Sequence, residues 1–172
     1  FNIYDKILSQ NNIPVPLKYL SVIESSLQGG LVSYKGAVGP WQLMPDEANR
    51  YGLKVSGGLD ERTDFIKSTE TAAQILKKLY AEFGDWLLVV AAYNAGAGAV
   101  RNAINKSGSR DFYDLQYNLP EETRNHVKKF IGTHYIFEGG GGYTTMTAAE
   151  TKQYEATIAS LKNNAPQKEI EN

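Results

Sequence analysis

From Asp85 to Gly96 the chain reads DWLLVVAAYNAG, and from Trp86 to Ala92 no residue is polar. A helix built from that run has no face for solvent and belongs at the centre of a bundle. Gly84 ends the segment before it, and Asp85 stands where a helix N-cap is wanted. The flanking segments are helical too. From about 68 to 83, Ala72, Ile75, Leu76, Leu79 and Phe83 recur at helical spacing. Further helices are expected over about 98–106 and 121–137, with a short opening helix carrying Ile3, Ile7 and Leu8. Pro45 suits the start of another, with Asp46 and Glu47 in the first turn where carboxylates favour the dipole. No strand-like alternation lasts more than a few residues. The expected class is all-α.

Composition narrows the options. The chain has 172 residues, 42% apolar and 22% charged, which suits one globular domain with a real core. A net charge of −1 gives no electrostatic case for nucleic acid or an anionic membrane surface. No run approaches the ~18 apolar residues of a membrane span. With no cysteine there is neither a disulfide framework nor thiolate chemistry. The first residue is Phe1 and no signal segment precedes it, so the chain reads as a trimmed piece of something longer.

One helix carries an oddity. The run from Pro16 through SVIESSL, Ser21 to Leu27, has no internal breaker and is expected to be helical throughout. At about 100° per residue, Leu17, Leu20, Glu24 and Leu27 fall within roughly 80° of one another. Glu24 therefore sits in the apolar stripe. A carboxylate there is either a satisfied structural group or an acid whose pKa is raised by desolvation, able to hold a proton near neutral pH and donate it. The residues nearby favour a site. Residues 28–39 hold four glycines and lead into Trp41, Gln42 and Met44: an indole, an amide and a thioether, a mixture suited to sugars but equally, for Trp41 and Met44, to a core. Tyr93 and Asn94 put polar groups at the end of the central helix.

These residues carry a resemblance. Glu24-Ser25, Ser33, and Gly36 to Pro45 (GAVGPWQLMP) resemble the catalytic signature of the lytic transglycosylases of glycoside hydrolase family 23, which have the goose-type lysozyme fold. The likeness is nearer to the membrane-bound lytic murein transglycosylase D group. Asp60-Glu61-Arg62, Lys67-Ser68-Thr69, Phe83 to Trp86, AAYNAG at 91–96 and LPEETR at 119–124 follow in the same order. It spans roughly Pro14 to Ile136. The loop departs from the pattern at Gly29 and Leu31, where the family usually has proline and alanine, and at Pro40, where it has leucine or methionine.

The resemblance implies a lysozyme-like helical domain with an active-site cleft, acting on peptidoglycan glycan strands. Glu24 would be general acid and then base at the bond between N-acetylmuramic acid and N-acetylglucosamine, leaving 1,6-anhydromuramoyl ends. Ser33, Gln42, Met44, Tyr93, Asn94 and Glu122 would line the substrate site. Ser33 would lie near an N-acetyl group, Tyr93 would reach toward Glu24 or the transition state, and Asn94 would brace its helix end. No cofactor and no metal is implied, and His126 and His134, eight apart on one helix, are a poor ligand pair. The substrate places the protein in a bacterial periplasm or outer envelope, with any membrane or wall anchor in parts outside this chain. Two other readings remain: a hydrolytic lysozyme or chitinase of the same fold, using Asp46, Asp60 or Glu61 to activate water, or a glycan-binding module without turnover.

Residues 1–138 are expected to form the catalytic domain. Gly139 to Gly142 are four consecutive glycines, a flexible joint or an unusual turn. Beyond them Thr147 and Glu150 form a capping box that opens a last helix, of unassigned role, to about Leu161. Residues 139–172 are expected to pack on the same domain, with the tail QKEIEN fraying.

Overall fold

The computed structural model describes residues 1–56 and 58–163. The helices are α1 (Asn2–Gln10), α2 (Tyr19–Ser25), α3 (Pro45–Arg50), α4 (Phe65–Phe83), α5 (Trp86–Ala95), α6 (Ala97–Ser107), α7 (Phe112–Leu115), α8 (Glu121–Glu138) and α9 (Ala148–Asn163). A small antiparallel pair, β1 (Val55–Ser56) and β2 (Leu59–Asp60), interrupts an otherwise helical chain. No helix among the described residues is long and apolar enough to cross a membrane.

Helix α5 is the core. Every residue from Trp86 to Ala92 is buried, and α4, α6 and α8 pack around it. Asp85 caps it by accepting from the amides of Leu87 and Leu88 at 2.9 and 3.1 Å. Its second oxygen accepts from the amide of Ala148 at 2.6 Å. One buried carboxylate thus serves the N-termini of α5 and α9. Helix α4 begins at Phe65, three residues before the sequence suggests, because Asp64 accepts from the amides of Ile66 and Lys67.

The segment around Glu24 is not one helix. Val15–Lys18 is a 3-10 turn, and α2 stops at Ser25. Ser26 and Leu27 turn left-handed, at φ +53° and +64°. The physical reason lies outside the segment. The hydroxyls of Ser21 and Ser25 both donate to the carbonyl of Pro40, at 2.8 and 2.9 Å, which fixes the later loop beside α2. The chain must leave the helix at once to reach that loop.

After α8, Gly139 takes φ +73° and closes the helix. The glycine run forms a turn in which the Gly142 amide donates to the Thr145 hydroxyl at 2.9 Å. The capping box is present: the Thr147 amide donates to Glu150 at 2.8 Å and the Glu150 amide to the Thr147 hydroxyl at 3.3 Å. Helix α9 buries none of its described residues. The tail QKEIEN lies outside the described residues.

Candidate active site

The wall of the site is a loop that closes on itself. Val38 bridges to both Val32 and Leu43, so residues 31–43 fold as a tight double turn. Arg62 locks it from behind. The guanidinium is buried, takes both oxygens of Asp60 at 2.9 and 2.7 Å, and donates to the carbonyls of Gly36 and Leu43 at 2.9 and 3.0 Å. This fork is the geometry that arginine supplies and lysine does not. Gly39 lies directly on the backbone of Arg62: a Cβ there would stand 2.0 Å from the Arg62 carbonyl oxygen, and φ is +85°. Only glycine fits.

The loop faces α2, α5 and the start of α8 across a cleft of about 360 Å³. Glu24, Ser33, Gln42, Met44, Tyr93, Asn94 and Glu122 all line it. Several of them are also held by protein groups. Ser33 accepts from the amide of Ala37 at 2.9 Å, holding the turn. Gln42 sits at φ +47°, and its amide nitrogen donates to the carbonyls of Gly39 and Leu31 at 2.9 and 3.2 Å. Strain of this kind at a non-glycine residue persists where the surroundings over-determine it, and it collects at ligand sites. Met44 is 42% exposed at the cleft.

Trp41 does not line the cleft. It is fully buried, and its indole nitrogen donates to the Thr69 hydroxyl at 2.8 Å. Tyr93 does not hydrogen-bond Glu24. Its hydroxyl donates to the Trp41 carbonyl at 2.8 Å, and burial, with the Glu24 and Glu47 carboxylates adding, holds its pKa well above the ordinary tyrosine value. Asn94 braces the end of α5 by accepting from the Thr123 hydroxyl at 2.8 Å.

Glu24 has a partner that the sequence did not reveal. Its Oε1 lies 2.9 Å from Nε2 of His126, with the two side chains 17% and 10% exposed. No hydrogen bond reaches its Oε2 among the described residues. His126 stands one turn beyond Glu122 on α8, so the i, i+4 spacing from a cleft residue was the signal that was available. Other lining residues were missed, Tyr34 and Glu47 among them. Tyr34 is fully exposed at the rim, and Glu47 projects from α3 with its carboxyl pushed up by burial, against the pull of Arg50 and Lys78.

The carboxylates suggested for a hydrolase are elsewhere. Asp60 is held by Arg62, which keeps its pKa low, and Glu61 is tied to Lys67 and the Lys54 amide. Neither they nor the exposed Asp46 line the cleft. Among the described residues, no three histidine or acidic side chains come together as a metal site.

The sequence profile of the Transglycosylase SLT domain matches residues 2–116. The chain belongs to the transglycosylase SLT family. Glu122 and His126 fall past that match, yet the fold carries both to the Glu24 cleft or its wall. Among named members, the chain is 36% identical over 141 residues to membrane-bound lytic murein transglycosylase D of Escherichia coli, covering 79% of this chain and 31% of the relative. It therefore spans about a third of that relative. The SLT fold is shared with the 70 kDa soluble lytic transglycosylase of Escherichia coli, at TM-score 0.73 and 27% identity over 87% of this chain and 26% of that one. It is also shared with a lytic transglycosylase of Pseudomonas aeruginosa, at TM-score 0.69 and 18% identity over 85% of this chain and 26% of that one. These describe a lysozyme-like helical fold.

Proposed function

We propose that this chain is the catalytic domain of a peptidoglycan lytic transglycosylase, with Glu24 as its acid and base. One observation carries the reading: Glu24 is a cleft carboxylate with one oxygen held by His126 and no hydrogen bond to the other among the described residues. Protonated, Glu24 donates to the glycosidic oxygen between N-acetylmuramic acid and N-acetylglucosamine as the bond to C1 breaks. The resulting carboxylate takes the proton of the muramoyl C6 hydroxyl, whose oxygen closes on C1. The products are a 1,6-anhydro end and a free 4-hydroxyl. Glu24 ends protonated as it began, and no water is consumed. A single carboxylate therefore suffices where most glycosidases need two.

The remaining roles follow from position. Gln42, with its nitrogen committed to the loop, keeps its amide oxygen for a sugar hydroxyl or N–H. Ser33, Met44 and Asn94 shape the subsites beside the scissile bond, and Glu122 orients a sugar from α8. Residues 139–163 belong to the same body, joined to it through Asp85 and Ala148. The substrate assigns the protein to a bacterial periplasm or outer envelope. A hydrolytic reading retains one supporting observation, the Glu47 carboxyl on the cleft. Digestion of peptidoglycan in ¹⁸O-water separates the two. A transglycosylase leaves the new muramoyl ends unlabelled, and a hydrolase labels them.

A further inference from the structure

We infer that His126 is a positioning residue that confines the chemistry of Glu24 to a single oxygen, Oε2. The inference rests on Glu24 being the acid. The contact between His126 Nε2 and Glu24 Oε1, 2.9 Å long, joins side chains 102 positions apart and ties α8 to α2. The decisive detail is on the other side of the ring. His126 Nδ1 is buried and has no hydrogen-bond partner among the described residues.

A neutral imidazole carries its proton on one nitrogen only, and the partner of each nitrogen selects which. A proton on Nδ1 would bury an N–H with nothing to receive it, a rarer burial than an unpaired acceptor. An imidazolium would bury that same unreceived N–H on Nδ1. The ring therefore holds its proton on Nε2 and donates it to Oε1, leaving Nδ1 as a bare lone pair.

That tautomer serves both halves of the reaction. When Glu24 is protonated, Oε1 is its carbonyl oxygen and accepts from Nε2, so the acidic proton stands on Oε2. When the proton has left, the same N–H grips the carboxylate through a charge-assisted bond. In neither state does the carboxyl gain by rotating. The proton departs from Oε2 toward the glycosidic oxygen and returns to Oε2 from the C6 hydroxyl. His126 touches no substrate and exchanges no proton.

Two measurements test this. In the unmutated protein, the ¹⁵N resonances of the His126 ring are expected to mark Nδ1 as the unprotonated nitrogen and Nε2 as N–H at neutral pH. A protonated Nδ1 overturns the inference, and mutation plays no part in that reading. In kinetics on soluble glycan strands, His126→Phe removes the donor, and kcat is expected to fall roughly 10- to 100-fold with KM within about twofold. His126→Gln, whose Nε can occupy the same position, is expected to recover most of the loss. A folded His126→Phe protein with wild-type kcat overturns the inference, as does a Gln variant no better than Phe at equal melting temperature. Glu24→Gln is measured alongside. If Glu24→Gln is inactive while His126→Phe is not, the His126 inference alone falls. If Glu24→Gln is fully active, the assignment of the acid falls.

Discussion

The Tyr93 hydroxyl donates to the backbone carbonyl of Trp41 across 2.8 Å, joining the end of the central helix to the loop that carries Gln42. The raised pKa of Tyr93 keeps that hydroxyl protonated through neutral and moderately alkaline pH. Tyr93→Phe leaves the carbonyl without its donor. Denaturant unfolding is expected to show a loss of about 1–3 kcal/mol with an unchanged m-value. A neutral effect would mean that the loop does not need the bond.

The loop depends still more on Gly39 and Arg62. Gly39→Ala drives a methyl into the Arg62 carbonyl at a φ that alanine resists, and a loss of roughly 3 kcal/mol or more is expected. Arg62→Lys keeps the charge but cannot bridge Asp60 and two carbonyls together. Its expected signature is faster proteolysis within residues 28–44 and a large drop in turnover, although Arg62 does not line the cleft.

Tyr34 stands fully exposed at the cleft rim, where its ring has open faces. Stacking on a sugar would recover on the order of 1 kcal/mol, about fivefold in binding. Tyr34→Ala is expected to raise KM by about that factor with kcat and melting temperature unchanged. A change in kcat alone would contradict the assignment.

His134 provides a pH test of the fold. Burial lowers its pKa from 6.5, against the opposing charge of Glu138. The unfolded chain therefore binds the proton first as the solution is acidified. The stability due to neutral His134 is fully present above pH 6.5 and is lost as pH falls through the folded value. Unfolding free energies measured from pH 7.5 down to about pH 5 are expected to fall more steeply for the unmutated protein than for His134→Gln.

Much of this architecture is written locally. Asp85, Gly84 and Gly96 punctuate α5, and its uninterrupted apolar run announces a central helix before any packing is known. Thr147 and Glu150 declare the start of α9 in the same way. The limits of α2 were not legible, because its end is set by the carbonyl of Pro40 in a distant loop, which accepts from the Ser21 and Ser25 hydroxyls. The sequence leaves Trp41 open between cleft and core for a related reason: an irregular loop has no period by which inside and outside can be told apart. The seven candidate cleft residues were found through motifs carried in sequence. The Glu24–His126 pair was not, since only the docking of α8 on α2 brings its members together.

The central claim is tested most directly by mass spectrometry of the muropeptides released from purified peptidoglycan by this chain and by its Glu24→Gln variant. The account predicts 1,6-anhydromuropeptides from the first and none from the second. Reducing-end products from the unmutated chain, or anhydro products at an undiminished rate from Glu24→Gln, would contradict it.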